Sequence, residues 1–426
     1  MTMYAQKGGA DTVLDRDDRE ALVRESAGHF GDPERVLILP PDFTRFHSGA
    51  GELTAMYYEC LTEKGAHVDV LPALGTHFVM TDKEITAMFG TGIPRERFLV
   101  HDWRNGVEKI GKVPSEFIQE LSEGKLDYSI DAELDRAIIH GSYDLILSVG
   151  QVVPHEVIGM ANHNKNIFVG CGGRDIINKT HFLGAVYNME RIMGRAESPV
   201  RNVLDYVEDN FCSDYSIVYA LTVMSRNDEG SMDMNGLYIG PGREGYEQAA
   251  LLSQTLNITK MDSSLDRVVV YLDPEEFKTT WLGNKAVYRT RMVMADEGEL
   301  IVLAPGLSQF GEDSDIDCLI RKYGYVGTPR ILDAVDANED LRQNLSAAAH
   351  LIHGSSEGRF SITYAPGKVT REEITSVNFS YVPLDKALEK YDPDKLKDGF
   401  NTLESGEEIY YISNPAIGLW GLAEDF

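Results

Sequence analysis

The chain is short of cysteine, of positive charge and of long apolar runs. Its four cysteines, Cys60, Cys171, Cys212 and Cys318, are scattered through 426 residues and form no Cys-x-x-Cys pair. That spacing argues against a disulfide framework and fits a reducing, cytoplasmic setting. No stretch approaches the roughly 18 consecutive apolar residues that a membrane helix needs. Residues Met1 to Glu20 lack the basic start and apolar core of a signal peptide. Only 40 Lys and Arg stand against 68 Asp and Glu, a formal net charge of −28. Nucleic acid and anionic membrane surfaces are therefore excluded as expected partners. Any anionic substrate must be held by a locally basic pocket, because the global field opposes it.

What is present is ordinary for a folded enzyme. Hydrophobic residues make up 43% and aromatics 9%, and the length predicts two or three domains. A short apolar strand, a polar or glycine-containing loop and a helical stretch recur along the chain. Arg35–Leu39 reads as a strand leading to Asp42 and Arg45. Val68–Leu74 runs into Gly75-Thr76-His77, after which Thr81-Asp82-Lys83-Glu84 matches a capping box. Tyr143–Val149 leads to His155. This alternation predicts an α/β fold of two domains with largely parallel sheets flanked by helices. Ligands of such sheets sit beyond the carboxyl ends of the strands, and Asp42, Arg45, His77 and His155 all fall there. The expected domains are 1–262, carrying the cofactor and the catalytic groups, and 263–400. Residues 252–266 read as a hinge, and the active site is expected in the interdomain cleft. The tail, 401–426, turns apolar again and is expected to pack back on the N-terminal domain.

Three histidines, His155, His163 and His181, lie within 27 residues. Histidine is the common metal ligand and the usual acid/base group near neutral pH. Their spacing matches neither His-Glu-x-x-His nor a paired Cys/His zinc pattern. Taken singly, each is more often a hydrogen-bonded structural residue. Lys165 sits among asparagines; taken alone it reads as a solvated lysine, and its sharper reading is a nucleophilic amine that attaches a cofactor.

Taken together, these residues resemble the lactate racemase family of nickel-pincer nucleotide racemases and epimerases. Four segments carry the resemblance, in order. They are Asp42-Phe43-Thr44-Arg45; Ala73-Leu74-Gly75-Thr76-His77 with Met80, Thr81 and Glu84; His155 with Lys165 ten positions on and His181 sixteen beyond; and Trp281-Leu282-Gly283-Asn284-Lys285. The resemblance implies a pyridinium bisthiocarboxylic acid mononucleotide joined covalently to Lys165, with nickel held by the cofactor and His181. It implies His77 and His155 as acid/base groups, and Arg45 and Lys285 as holders of the substrate carboxylate and oxyanion. Asp42 and Thr44 would line the cofactor, with Asp42 orienting Arg45 or the ribose. The substrate would be a 2-hydroxy acid inverted at C2 by hydride transfer, and the partners would include cofactor maturation proteins.

Departures from the family pattern bear on the substrate. Phe43 replaces a histidine, and Met160-Ala161-Asn162-His163-Asn164 replaces a serine- and glycine-rich run. Trp281 and Leu282 stand where tyrosine and glutamine are usual. Leucine offers no hydrogen bond, so the expected substrate is not lactate but a larger or sugar acid. The loop His353–Arg359 could grip hydroxyls or an anion, which makes Arg359 a candidate substrate contact. Two other readings compete. Gly240-Pro241-Gly242-Arg243-Glu244-Gly245 fits Gly-x-Gly-x-x-Gly, with Asp273 as a ribose acid, and would make an NAD-dependent oxidoreductase. A non-catalytic carrier of the cofactor is the third, and the pair His77 and His155 argues against it.

Overall fold

A computed structural model describes residues 2–227, 230–416 and 418–426. It divides the chain into two compact units, Met1–Leu183 with Ile192–Asn257 and Gly184–Arg191 with Ile258–Phe426. Among the described residues no helix is long and apolar enough to cross a membrane.

The first unit is built on strands β1 (Ala5–Gly8), β2 (Arg35–Leu39), β3 (His67–Val70), β4 (Leu145–Gln151), β5 (Ile217–Arg226) and β6 (Met232–Gly240). Their order is β1-β6-β5-β4-β2-β3. β3, β2, β4 and β5 run parallel, while β6 and β1 complete the sheet antiparallel. β4 is buried at every position but its last, as a parallel strand covered on both faces must be. The helix Ala50–Glu63 turns Leu53, Met56, Tyr57, Cys60 and Leu61 inward, the spacing of one helical face. These residues join Val36, Ile38, Val68, Leu147 and Val149 in one core, each fully buried aliphatic side chain contributing roughly 1.5–3 kcal/mol. The capping box expected at Thr81 is present, and it starts the helix Asp82–Phe89.

The second unit holds β7 (Ile258–Met261), β8 (Leu265–Tyr271), β9 (Met294–Ala304), β10 (Ser361–Pro366), β11 (Ser380–Tyr381), β12 (Gly399–Thr402), β13 (Glu408–Ile412) and β14 (Leu419–Leu422). Six of them form a sheet in the order β11-β10-β9-β8-β13-β12, parallel except for β12. β7 pairs with β14 in parallel.

Two expectations are corrected here. The tail is built into the second unit: β13 lies beside β8 in its sheet and β14 pairs with β7. Ile409, Tyr411 and Val269 share one core, so the apolar Glu408–Ile412 run is a sheet strand of its own unit. The stretch 252–266 is not a bare linker either. It contains the end of the helix Glu244–Asn257, then β7 and the start of β8.

Candidate active site

Loops that follow β2, β3 and β4 are bonded together at the carboxyl edge of the first sheet. The Ala73 amide donates to the Pro40 carbonyl and the Gly75 amide to the Gly170 carbonyl, both at 2.8 Å. The Asn166 side chain donates to the Leu39 carbonyl at 2.7 Å and to the Ser148 hydroxyl at 3.2 Å. The turn carrying Lys165 is thereby tied to the ends of β2 and β4, the ligand-binding edge of an open parallel sheet.

Asp42 is buried there, its side chain 7% exposed, while His77 is 56% exposed. His77 Nδ1 lies 2.7 Å from Asp42 Oδ2, and the Thr44 hydroxyl donates to Oδ1 at 2.6 Å. Burial alone would raise the Asp42 pKa. The hydrogen bonds from His77 and Thr44, with the nearby Arg45 charge, outweigh it and hold the carboxyl below its usual value. Asp42 thus orients His77, where the sequence pointed to Arg45 or a ribose, and the Thr44 hydrogen is spent on Asp42. Arg45 sits in the 3-10 turn Phe43–Ser48 with non-helical φ −111° and ψ 31°.

His155 is buried in a small hairpin, Pro154–His155 against Gly159–Met160. Its Nδ1 accepts the Val157 backbone N–H at 3.1 Å. Lys165 lies on the short helix Asn164–Phe168. Desolvation, aided by the Arg45 charge, lowers its ammonium pKa to about 8, so about a tenth of the amine is neutral at pH 7, far more than for an ordinary lysine. His181 lies on the helix Arg174–Tyr187, where Nδ1 is 2.6 Å from the Ile177 carbonyl. A carbonyl only accepts, so Nδ1 carries the hydrogen and Nε2 keeps its lone pair. Desolvation and the Lys165 charge lower the His181 pKa to about 4, which keeps the ring neutral, as a metal ligand must be. The charge of Lys165 acts on His181, and those of Arg45, Glu156 and Asp42 act on Lys165. Asp42, Arg45, Glu156, Lys165 and His181 are thus close enough for these charges to be felt.

Sequence reasoning missed the support beneath Lys165. Asn162 and His163 both adopt positive φ, 63° and 58°, where a side chain is strained. Arg201 is fully buried and fixes that bend. It donates to the Met160 carbonyl at 2.9 Å, the Asn162 carbonyl at 3.2 Å, the Tyr246 hydroxyl at 3.1 Å and the Asn164 side-chain oxygen. Its signal was available: an arginine between Val200 and Val203 on the buried face of the helix Pro199–Phe211. His163 serves structure, stacking on Tyr219 at 3.9 Å with Nε2 bonded to the Gly242 carbonyl at 3.0 Å. Burial lowers its pKa to about 3.

Trp281, Leu282, Lys285 and Arg359 belong to the second unit. Trp281 and Leu282 lie on the helix Thr280–Gly283, and Lys285 opens the helix Lys285–Thr290. Trp281 packs on His350 at 4.3 Å between ring centres, and the Lys285 ammonium lies 5.7 Å from the centre of the Phe277 ring. Arg359 is held by acidic partners and a backbone carbonyl. Its guanidinium pairs with Glu190 at 2.8 Å and Asp296 at 2.9 Å, and it donates to the Met294 carbonyl at 2.9 Å. The glycine motif is corrected. Gly240 ends β6, whose neighbours are both antiparallel, and the helix after it leads into β7 of the second unit. Arg243 is held by Glu197 and by Asp205 at 2.6 Å, so the parallel β-α-β context of a dinucleotide fingerprint is absent.

These features define an α/β protein with a lysine, two imidazoles and a histidine–aspartate pair at the ligand edge of a parallel sheet. Residues 23–194 match the lactate racemase N-terminal domain. Asp42, Thr44, Arg45, His77, His155, Lys165 and His181 all fall inside that match. Two solved structures share the fold. A protein from Thermotoga maritima is 23% identical, covers 98% of this chain and 100% of its own, and superposes with a TM-score of 0.80. The lactate racemase apoprotein from Thermoanaerobacterium thermosaccharolyticum is 15% identical over 94% of this chain and 92% of its own, with a TM-score of 0.72. No curated protein sequence matches the chain.

Proposed function

We propose that this chain is a cytoplasmic isomerase that inverts C2 of a 2-hydroxy acid, using a nickel-pincer nucleotide attached at Lys165. The observation that carries the reading is the pair formed by a desolvated Lys165 amine and a neutral His181 whose Nε2 lone pair stays available. An amine near neutrality suits acyl attachment, and an imidazole anchored through Nδ1 suits a metal. When bound, the group would accept and return the C2 hydride. The chain's own residues do the rest. Arg45 holds the substrate carboxylate, giving the local positive charge that a −28 chain otherwise lacks. His77, backed by the Asp42 carboxylate, receives the hydroxyl proton, and His155 faces the substrate from the β4 side. Because Leu282 has no polar atom where family members have glutamine, the substrate is a 2-hydroxy acid other than lactate, larger or more hydroxylated.

Intact-mass and nickel analysis of protein from a host that makes the cofactor tests the reading. The expected result is an added nucleotide mass mapped to Lys165 with about one nickel per chain, lost in Lys165→Ala. An unmodified Lys165 without nickel would overturn it. A panel of 2-hydroxy acids in which lactate is fastest by a wide margin would refute the substrate assignment alone.

A further inference from the structure

Beneath the Lys165 turn lies a buried imidazole with one nitrogen left over. His163 is 1% exposed. Its Nε2 lies 3.0 Å from the Gly242 carbonyl, which can only accept, so Nε2 carries the hydrogen of the neutral ring. Nδ1 therefore holds a lone pair, and among the described residues no hydrogen bond reaches it. Asn164, beside the ring, has no hydrogen to lend. Its two amide hydrogens go to Asp205 Oδ1 at 2.6 Å and Glu208 Oε2 at 3.0 Å, and its oxygen accepts from Arg201. A buried acceptor without a donor is costly. An imidazole fixed through one nitrogen to a backbone carbonyl, with the other nitrogen bare, is the arrangement of a metal-ligating histidine.

Two carboxylates supply the company such a ligand needs. Asp205 and Glu208 lie three residues apart on the helix Pro199–Phe211 and share one face. One oxygen from each and one ring nitrogen of His163 all lie within 4.8 Å of one another. Asp205 otherwise pairs with Arg243 at 2.6 Å, and Glu208 accepts from the Tyr219 hydroxyl at 2.8 Å. These bonds use two acceptor positions on each carboxylate, and an ionised carboxylate has about four. Negative charge is left over as well. Arg243 is divided among Asp205, Glu197 and Glu247, and Arg201 donates to neutral oxygens. Burial and the neighbouring Asp205 charge push the Glu208 carboxyl above its usual value, a penalty that a bound cation removes.

We propose that His163 Nδ1, Asp205 and Glu208 bind a divalent transition-metal ion of the zinc class, separate from any metal at His181. The imidazole nitrogen favours zinc-like ions over magnesium and calcium, which prefer all-oxygen sites. Zinc bonds of about 2.0–2.2 Å put tetrahedral ligands about 3.3–3.6 Å apart, so the three side chains draw together by about an ångström. Water completes the fourth position, reached from the side of Asp205, whose side chain is 20% exposed. The ion ties the turn two residues before Lys165 to the helix Pro199–Phe211. It acts as a structural clasp, and it stands independently of the isomerase reading.

Zinc alone is the probe. The full-length, cofactor-free chain is stripped with chelator and dialysed against zinc chloride, as wild type and on a His181→Ala background that removes the other neutral imidazole. About one zinc per chain should stay on both proteins, and excess magnesium should not displace it. Glu208→Gln and Asp205→Asn keep the hydrogen-bonding shape, and each should weaken binding by at least about tenfold. Long-range proton–nitrogen spectra of the 15N-labelled wild type should show His163 Nδ1 moving as zinc is added, while Nε2 keeps its hydrogen. Failure to retain zinc, or retention that disappears with His181→Ala, would overturn the site. So would retention indifferent to both carboxylate variants, or a His163 Nδ1 resonance that does not move at one zinc per chain.

Discussion

Replacing Asp42 by asparagine tests the link on which the proposed proton transfer depends. The carboxylate is 7% exposed and sits 2.7 Å from His77 Nδ1. When His77 gains a proton, that contact becomes a hydrogen bond between two charged partners. Bonds to charged groups contribute about 1.5–3 kcal/mol, or about ten- to 150-fold in rate. Asparagine keeps the shape and removes the charge, and its amide nitrogen can turn toward the ring and impose the other tautomer. The expected result is a fall of that size in kcat/KM, carried mainly by kcat, with nickel content unchanged. Chiral chromatography of the product from loaded enzyme measures it. The pH dependence has a definite sign. Asp42 has a lowered pKa, so its contribution to stability is present above the ordinary carboxyl value of 3.8 and is lost as pH falls through the folded-state value. The stability gap between wild type and Asp42→Asn should therefore close in strong acid. A variant within twofold of wild type would refute the coupling, and a loss traced to missing nickel would move Asp42 to cofactor binding.

Three further outcomes follow from the same site. In the cofactor-free chain the Lys165 pKa of about 8 lies below the ordinary lysine value of 10.5, so stability rises as pH climbs between those values. Lys165→Met should accordingly be more stable than wild type below pH 8 and level with it near pH 10.5; urea midpoints that do not converge would contradict the desolvated amine. Arg201→Met leaves the Met160 and Asn162 carbonyls and the Asn164 side chain without their donor. It should cost about 2–5 kcal/mol in denaturant unfolding, and a loss under 1 kcal/mol would show the bend holding itself. Gly159 has φ +91°, and an added Cβ would meet the Arg195 carbonyl at 2.1 Å. Gly159→Ala should therefore cost about 2 kcal/mol or more and shift the His155 resonances; unmoved resonances would separate the hairpin's turn from its histidine.

What was legible in the sequence is what local chemistry determines. Arg35–Leu39 is a strand at the bounds its apolar run predicts, and Thr81-Asp82-Lys83-Glu84 caps a helix as written. In both cases nearest neighbours decide the outcome. The order of the strand-end residues was legible for a similar reason, since parallel topology delivers successive loops to one edge. Partnership across the chain was not. Asp42 and His77 are 35 residues apart, and nothing near Asp42 distinguishes a histidine partner from Arg45 two positions beyond it. The ion pairs of Arg359 were hidden in the same way, since its carboxylate partners, Glu190 and Asp296, are remote in sequence. The glycine motif failed for a deeper reason. Gly-x-Gly-x-x-Gly describes a bend, and a bend binds pyrophosphate only between parallel strands. Here the strand before it is antiparallel, and the Gly242 carbonyl it exposes accepts from His163, two residues before Lys165. The segment that most resembled a nucleotide site thus supports the lysine turn instead, a role that only tertiary contact could assign.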